Sequence, residues 1–317
     1  MIAASPTLAA WLHTLDPFVV RFPEGFPIEG LRWYGTAYLL GFVVGYLLVR
    51  RVTRVGRSPL PTDRVIDFAM AGILGLMIGG RLGYILFYDR SLLGMIDAPP
   101  YWGVLAINRG GMASHGGMIG GLLGCLWFAW RQKVDRSGAL HLFDLIAFAA
   151  PAGLFFGRVA NFINGELYGR TTDATNLFAV RFPQDYMTPA DLDVLRAGNP
   201  GMIAWATENV PARHPSQLYA AALEGVVVFL VVAFVFRRPV KPGVAAAWFA
   251  IAYAPMRILN EFFREPDVGI GFDALGLTRG QWLSVGLFIA GLALLRISKS
   301  RPTQPLGGWL AVKTSAA

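Results

Sequence analysis

Apolar residues in this chain gather into long runs rather than into the narrow stripes of amphipathic surface helices. Seven runs, at about 33–50, 66–88, 112–130, 140–163, 217–236, 243–263 and 280–296, approach the roughly 20 residues that a helix needs to cross the hydrocarbon core of a bilayer. The pattern predicts an all-α polytopic membrane protein with about seven transmembrane helices, 1–317 forming a single membrane domain. Polar positions then sort the connections. Arg50, Arg51, Arg54, Arg57 and Arg64 follow the first run, Arg131, Lys133 and Arg136 the third, Arg237, Arg238 and Lys241 the fifth, and Arg296, Lys299 and Arg301 the seventh. Every second connection is basic, which places those connections and the C-terminus in the cytoplasm and the N-terminus outside.

The outward loops are then 89–111, about 164–216, and 264–279. The middle one is long enough to form a small periplasmic cap between spans four and five. Within it, Asn176 to Pro183 alternates like a strand, and Pro189 and Gly198 to Gly201 read as turns. The opening MIAASPTLAAWLHTLDP lacks the basic region of a secretory signal and is broken by Pro6 and Pro17, so it reads as an interfacial segment that stays on the protein. Glycines at steps of four, Gly75, Gly79 and Gly83 in the second run and Gly116, Gly120 and Gly124 in the third, predict close helix contacts.

Composition agrees with the runs: 55% of residues are hydrophobic and 15% charged, against about a quarter charged in an average soluble domain. The formal charge of +8 sits at the ends of spans, which argues against a nucleic-acid partner. One cysteine, Cys125, and four scattered histidines supply neither a disulfide framework nor a metal-ligand spacing, so no metal or cofactor is expected.

Charges inside a span cost about 2.5–3.5 kcal/mol at the helix centre on insertion scales, so those present need partners or a function. Here they gather toward the outer leaflet. Arg158, Asn161 and Glu166 close the fourth span, Tyr253, Arg257 and Glu261 share one face of the sixth, His115 opens the third, and Arg81 lies in the second. Arg257 and Glu261 read either as a self-neutralising intrahelical pair or as part of an anion site. Arg158 has no partner in its own helix turn. Two arginines at one depth make a clamp for a phosphate, because a guanidinium donates to two oxygens at once. His115 reads as an interfacial histidine or as a base.

The stretch Gly157 to Gly169, GRVANFINGELYG, resembles the signature of the prolipoprotein diacylglyceryl transferase family. The resemblance extends through Leu31 to Gly35 (LRWYG), Gly79 to Tyr88 (GGRLGYILFY), Gly110 to Gly117 (GGMASHGG), His214 to Tyr219 (HPSQLY) and Arg257 to Asp267 (RILNEFFREPD). One departure is Ala220, where many members carry an acid; Glu224, one turn on, stands as its substitute. The resemblance implies an enzyme of the bacterial inner membrane that moves the diacylglyceryl group of phosphatidylglycerol onto the lipobox cysteine thiol in the signal peptide of a prolipoprotein, releasing glycerol phosphate. On that basis His115 is the candidate proton acceptor and Arg158 and Arg257 hold the phosphate. Tyr34, Asn161, Gly169 and Tyr253 bind the lipid, while Glu166, Glu261 and Arg264 support the arginines. Replacing either arginine by Gln is expected to leave folding intact. The rival reading is a transporter or lipid scramblase with an outward-facing anion site.

Overall fold

The computed structural model describes residues 10–23, 25, 26, 28–96, 102–106, 111–265 and 276–310. Gly110, Asp267 and most of the expected loop 264–279 lie outside the described residues. Each apolar run is a helix: α1 Trp33–Val55, α2 Val65–Phe87, α3 Ser114–Arg131 and α4 Arg136–Asn164, then α9 Val244–Glu261 and α10 Arg279–Ser300. The fifth run is a composite, in which α7 Ser216–Ala220 and α8 Val228–Val235 flank a π-helical segment, Ala221–Val227. Five helical segments are long and apolar enough to cross a membrane by length and composition: Trp33–Val55, Thr62–Phe87, Arg136–Asn164, Ser216–Val235 and Arg279–Ser300. The expected third and sixth spans, α3 and α9, are helices of 18 residues outside that set.

Two small sheets accompany the helices. β1 Trp11–Leu12 pairs in parallel with β4 Val180–Arg181, which pairs antiparallel with β5 Ala212–Arg213. β2 Phe18–Arg21 and β3 Gly30–Arg32 form an antiparallel pair. The strand expected over Asn176 to Pro183 is therefore two residues long, and the N-terminal segment, expected at the interface, supplies its neighbour. The turn signals open helices instead. Thr188 caps α5 Pro189–Arg196 through a capping box with Asp191, and Asn199 caps α6 Pro200–Asn209 by accepting from the Gly201 and Met202 amides. In both, the proline sits where a helix has no use for its missing N–H.

The chain divides into two compact units, Met1–Gly45 with Ala147–Val235 and Val244–Ser300, and Tyr46–Ile146 with Phe236–Gly243 and Arg301–Ala317. In the second unit α2 and α3 touch backbone to backbone along their glycines. A Cβ on Gly79 would stand 2.3 Å from the Gly116 carbonyl oxygen, and one on Gly120 2.1 Å from that of Gly75. Lipid gives helices no hydrophobic reason to associate, so contact of this closeness is what holds the pair. The buried Asp144 accepts the Gly243 amide at 2.8 Å in the same unit.

The first unit has an aromatic knot around His13, which is 1% exposed. The rings of Trp11, Phe162 and Phe182 surround it at centroid distances of 5.2–5.5 Å. Its Nε2 lies 2.7 Å from the Phe162 carbonyl oxygen and its Nδ1 2.7 Å from Gln184 Nε2. Burial pushes its pKa down to about 4.

Candidate active site

Within the first unit, the polar residues of α4 and α9 converge on a residue of the π-helical segment. Glu224 is fully buried. Its Oε2 lies 3.0 Å from Arg158 Nη2, and its Oε1 3.8 Å from Arg257 Nε, while Asn260 Nδ2 donates to Oε1 at 3.4 Å. Arg257 Nη1 also donates to Glu261 Oε2, one turn further along α9. Glu261 in turn accepts from Thr278 Oγ1 at 3.1 Å and lies 3.8 Å from Arg264 Nη1. The intrahelical pair of Arg257 and Glu261 is present, then, as one edge of a larger set. Arg158 finds across helices the partner that its own helix lacks.

A carboxylate taken out of water costs several kcal/mol unless charges and donors replace its hydration. Two guanidiniums and an amide do so here. Each guanidinium carries five N–H donors. The side chains of Arg158 and Arg257 remain 21% and 12% exposed, so donors beyond those on the glutamates stay available for an anion. Local sequence explains the approach. Gly225 backs onto α4 so closely that a Cβ there would meet Phe155 Cβ at 2.8 Å and Cα at 3.0 Å, three residues before Arg158.

Three of the segments that carry the family resemblance, those around Gly169, His214 and Phe263, are also joined to one another. After α4 the chain turns through two residues with positive φ, Gly165 at 69° and Leu167 at 54°. Two side chains at the start of α7 hold this bend: Gln217 Nε2 donates to the Glu166 carbonyl at 2.7 Å and Ser216 Oγ to that of Leu167 at 3.1 Å. Gly169 then passes between two backbones. Its amide donates to the His214 carbonyl at 2.8 Å, and the Arg170 amide to that of Phe263 at 2.8 Å. A Cβ on Gly169 would stand 2.5 Å from both carbonyl oxygens.

Asn161 is buried at 6% exposure on the same helix as Arg158. Tyr253 stacks on Phe249 and lies within electrostatic reach of Arg158, Glu224, Arg257 and Glu261. Tyr34, half-buried at the start of α1, has Arg158 and Glu166 among its charged neighbours. Glu166 departs from expectation, since among the described residues it forms no ion pair with either arginine. The residue is exposed, yet protein atoms crowd its carboxyl, and lost solvation raises its pKa against the pull of a hydrogen bond with the Asn164 side chain.

His115 and Arg81 belong to the second unit. His115 is exposed at the start of α3. Arg81 is buried and donates to backbone carbonyls, from Nε to Val104 at 2.9 Å, from Nη2 to Gly103 at 2.5 Å and from Nη1 to Gly111 at 2.9 Å. That guanidinium secures a loop. Sequence reasoning gave Glu224 only the part of a substitute for an acid at position 220, and missed Asn260 and Thr278. A signal existed for Glu224, the sole carboxylate in the most apolar of the five candidate spans, whose mean hydropathy is 2.5.

Comparison with known proteins identifies the family. The family profile described as prolipoprotein diacylglyceryl transferase matches residues 23–297. A phosphatidylglycerol--prolipoprotein diacylglyceryl transferase of Bdellovibrio bacteriovorus is 40% identical over 94% of this chain and 97% of its own length. Proteins of the same name from Azospirillum brasilense and Neisseria gonorrhoeae are 40% and 39% identical, covering 93% and 88% of this chain and 98% and 94% of their own lengths. Nothing in these matches favours a carrier or scramblase. With a family profile matched over most of its length and relatives about 40% identical along nearly the whole chain, this chain belongs to the prolipoprotein diacylglyceryl transferase family.

Proposed function

We propose that this protein transfers the diacylglyceryl group of phosphatidylglycerol to the lipobox cysteine of a prolipoprotein signal peptide. The observation that carries the reading is the pair of guanidiniums, Arg158 and Arg257, brought from different helices to one buried carboxylate with donors to spare. In the reaction a bond forms between the thiol sulfur and glycerol C3, the bond from C3 to a phosphate oxygen breaks, and glycerol phosphate leaves. The leaving oxygen gains charge as that bond lengthens. Fixed cationic donors aimed at it lower the barrier, and losing one such donor typically costs about 10²–10³-fold in rate. Arg158 and Arg257 take that part, with Asn161 as a neutral donor. Tyr34 and Tyr253 orient the headgroup, Gly169 lets the backbone close around the lipid site, and Glu261 with Arg264 steadies Arg257. A thiol of ordinary pKa about 8.5 must lose its proton to attack well, and His115 is the acceptor.

The same reading sets all seven apolar helices across the bacterial inner membrane, N-terminus outside and C-terminus in the cytoplasm. The chemistry then lies toward the periplasmic leaflet beneath residues 164–216 as a cap. The basic connections support that orientation. Purified protein in vesicles containing phosphatidylglycerol, given a lipobox peptide, should yield a thioether-linked diacylglyceryl peptide and one glycerol phosphate per peptide. Folded protein that yields neither would end the proposal.

A further inference from the structure

We infer that Glu224 is a positioning residue for the transfer reaction, fixing the separation and orientation of the Arg158 and Arg257 guanidiniums so that both face one phosphate. The inference rests on the phosphate-holding reading of those two arginines. Its two carboxylate oxygens are divided between them, Oε2 at 3.0 Å from Arg158 and Oε1 at 3.8 Å from Arg257, and Asn260 Nδ2 steadies Oε1 at 3.4 Å. Two like charges at low dielectric repel strongly, and a fully buried carboxylate between them is what lets them stay close. A merely neutralising acid would need only one partner. This one is shared, and each cation keeps donors for an anion.

The backbone beneath Glu224 is built for the task. Seven residues, Ala221–Val227, wind with the wider π-helical repeat between α-helical stretches, and such short π segments concentrate at functional sites. The wider turn changes the phase of the helix, so the direction in which Glu224 leaves it differs from that of an uninterrupted α-helix. Gly225 presses this segment against the backbone of Phe155 and brings Glu224 to Arg158. Ala220, buried at 1% exposure, leaves Glu224 as the sole acid between Ser216 and Val235.

The test compares Glu224→Gln and Glu224→Asp with Arg158→Gln, Arg257→Gln and the parent protein. Each is purified folded, reconstituted with phosphatidylglycerol, and assayed for kcat and for KM toward the lipid. Glu224→Gln removes the charge that holds the two cations close and so leaves the site with more net positive charge. The expected result is a kcat reduced about tenfold or more with a KM for phosphatidylglycerol that is unchanged or lower. Glu224→Asp keeps the charge and shortens the reach, so its kcat falls less, again without a rise in KM. Parental kcat in folded Glu224→Gln, or in Glu224→Asp if the Gln variant does not fold, overturns the positioning role while loss of activity in the arginine variants leaves the phosphate site standing. Full activity in both arginine variants overturns the phosphate site itself, and the positioning role with it.

Discussion

Consider Gly169→Ala. The added methyl would lie 2.5 Å from the carbonyl oxygens of His214 and Phe263 and 2.8 Å from His214 Cβ. Two of these three neighbours are backbone, so no side chain can swing aside; the segments must part by about half an ångström or more, an overpacking that costs about 1–3 kcal/mol. Parting them also stretches the bonds from the Gly169 and Arg170 amides, both 2.8 Å, at about 0.5–1.5 kcal/mol each. A local loss of about 2–6 kcal/mol follows. Gly169 faces Arg264 in a β-bridge, and Arg264 Nη1 lies 3.8 Å from Glu261 Oε2, so the displacement reaches the arginine cluster. The assay pairs thermal unfolding in detergent with amide exchange at Gly169 and Arg170 and with turnover. Earlier melting, faster exchange at both amides and turnover lowered about tenfold or more are expected. A variant with parental melting, exchange and rate would refute the close-approach reasoning.

Arg158→Gln and Arg257→Gln should each lower turnover about a hundredfold or more, as measured by peptide lipidation. Both variants are expected to fold, but because Arg158 pairs with the buried Glu224, Arg158→Gln should melt earlier than the parent, and combining it with Glu224→Gln should recover part of that loss. His115→Asn should slow transfer and flatten the pH–rate profile; a parental rate and profile would assign the proton to another base or to water. His13 keeps its proton off in the fold down to pH about 4, whereas the unfolded chain takes one up near 6.5. Its stabilisation is therefore complete above pH 6.5 and declines by about 3 kcal/mol as pH falls to 4, a slope that His13→Gln should lack in thermal melts taken across that window. Gly79→Ala should destabilise α2 against α3 by about 1–3 kcal/mol in thermal unfolding, while Gly286→Ala, whose methyl meets nothing within 4 Å, should be neutral or slightly stabilising.

Runs of apolar residues made the seven helices legible, because nothing else in a sequence resembles them. Of the small sheets only β4, Val180–Arg181, was foreshadowed, by the alternation of Asn176 to Pro183; its two-residue partners Trp11–Leu12 and Ala212–Arg213 have too few positions to alternate. Pro189 and Pro200 read as turns because a proline marks a break without saying that a helix begins there. In the site, Arg158, Arg257 and Glu261 stood out as charges in apolar surroundings, and the i, i+4 spacing gave the pair on α9. The contact of Arg158 with Glu224 bridges 66 positions and depends on a π-helical register that no periodicity announces. Arg81 also stood out as a charge in an apolar run, but its bonds to the carbonyls of Gly103, Val104 and Gly111 follow no side-chain pattern, because every residue has a carbonyl.

The pairing of β1 with β4 bears on the order in which the protein can be made. Trp11 and Leu12 find their partners at Val180 and Arg181, and the bond between His13 and Gln184 closes a loop of 171 positions. During synthesis the first strand must therefore wait, its edge unpaired, until more than half of the chain has emerged. Contacts of such long range form slowly and late. Protection of the Trp11 and His13 amides, which donate to the Ala179 and Arg181 carbonyls, thus marks the completion of assembly rather than its beginning.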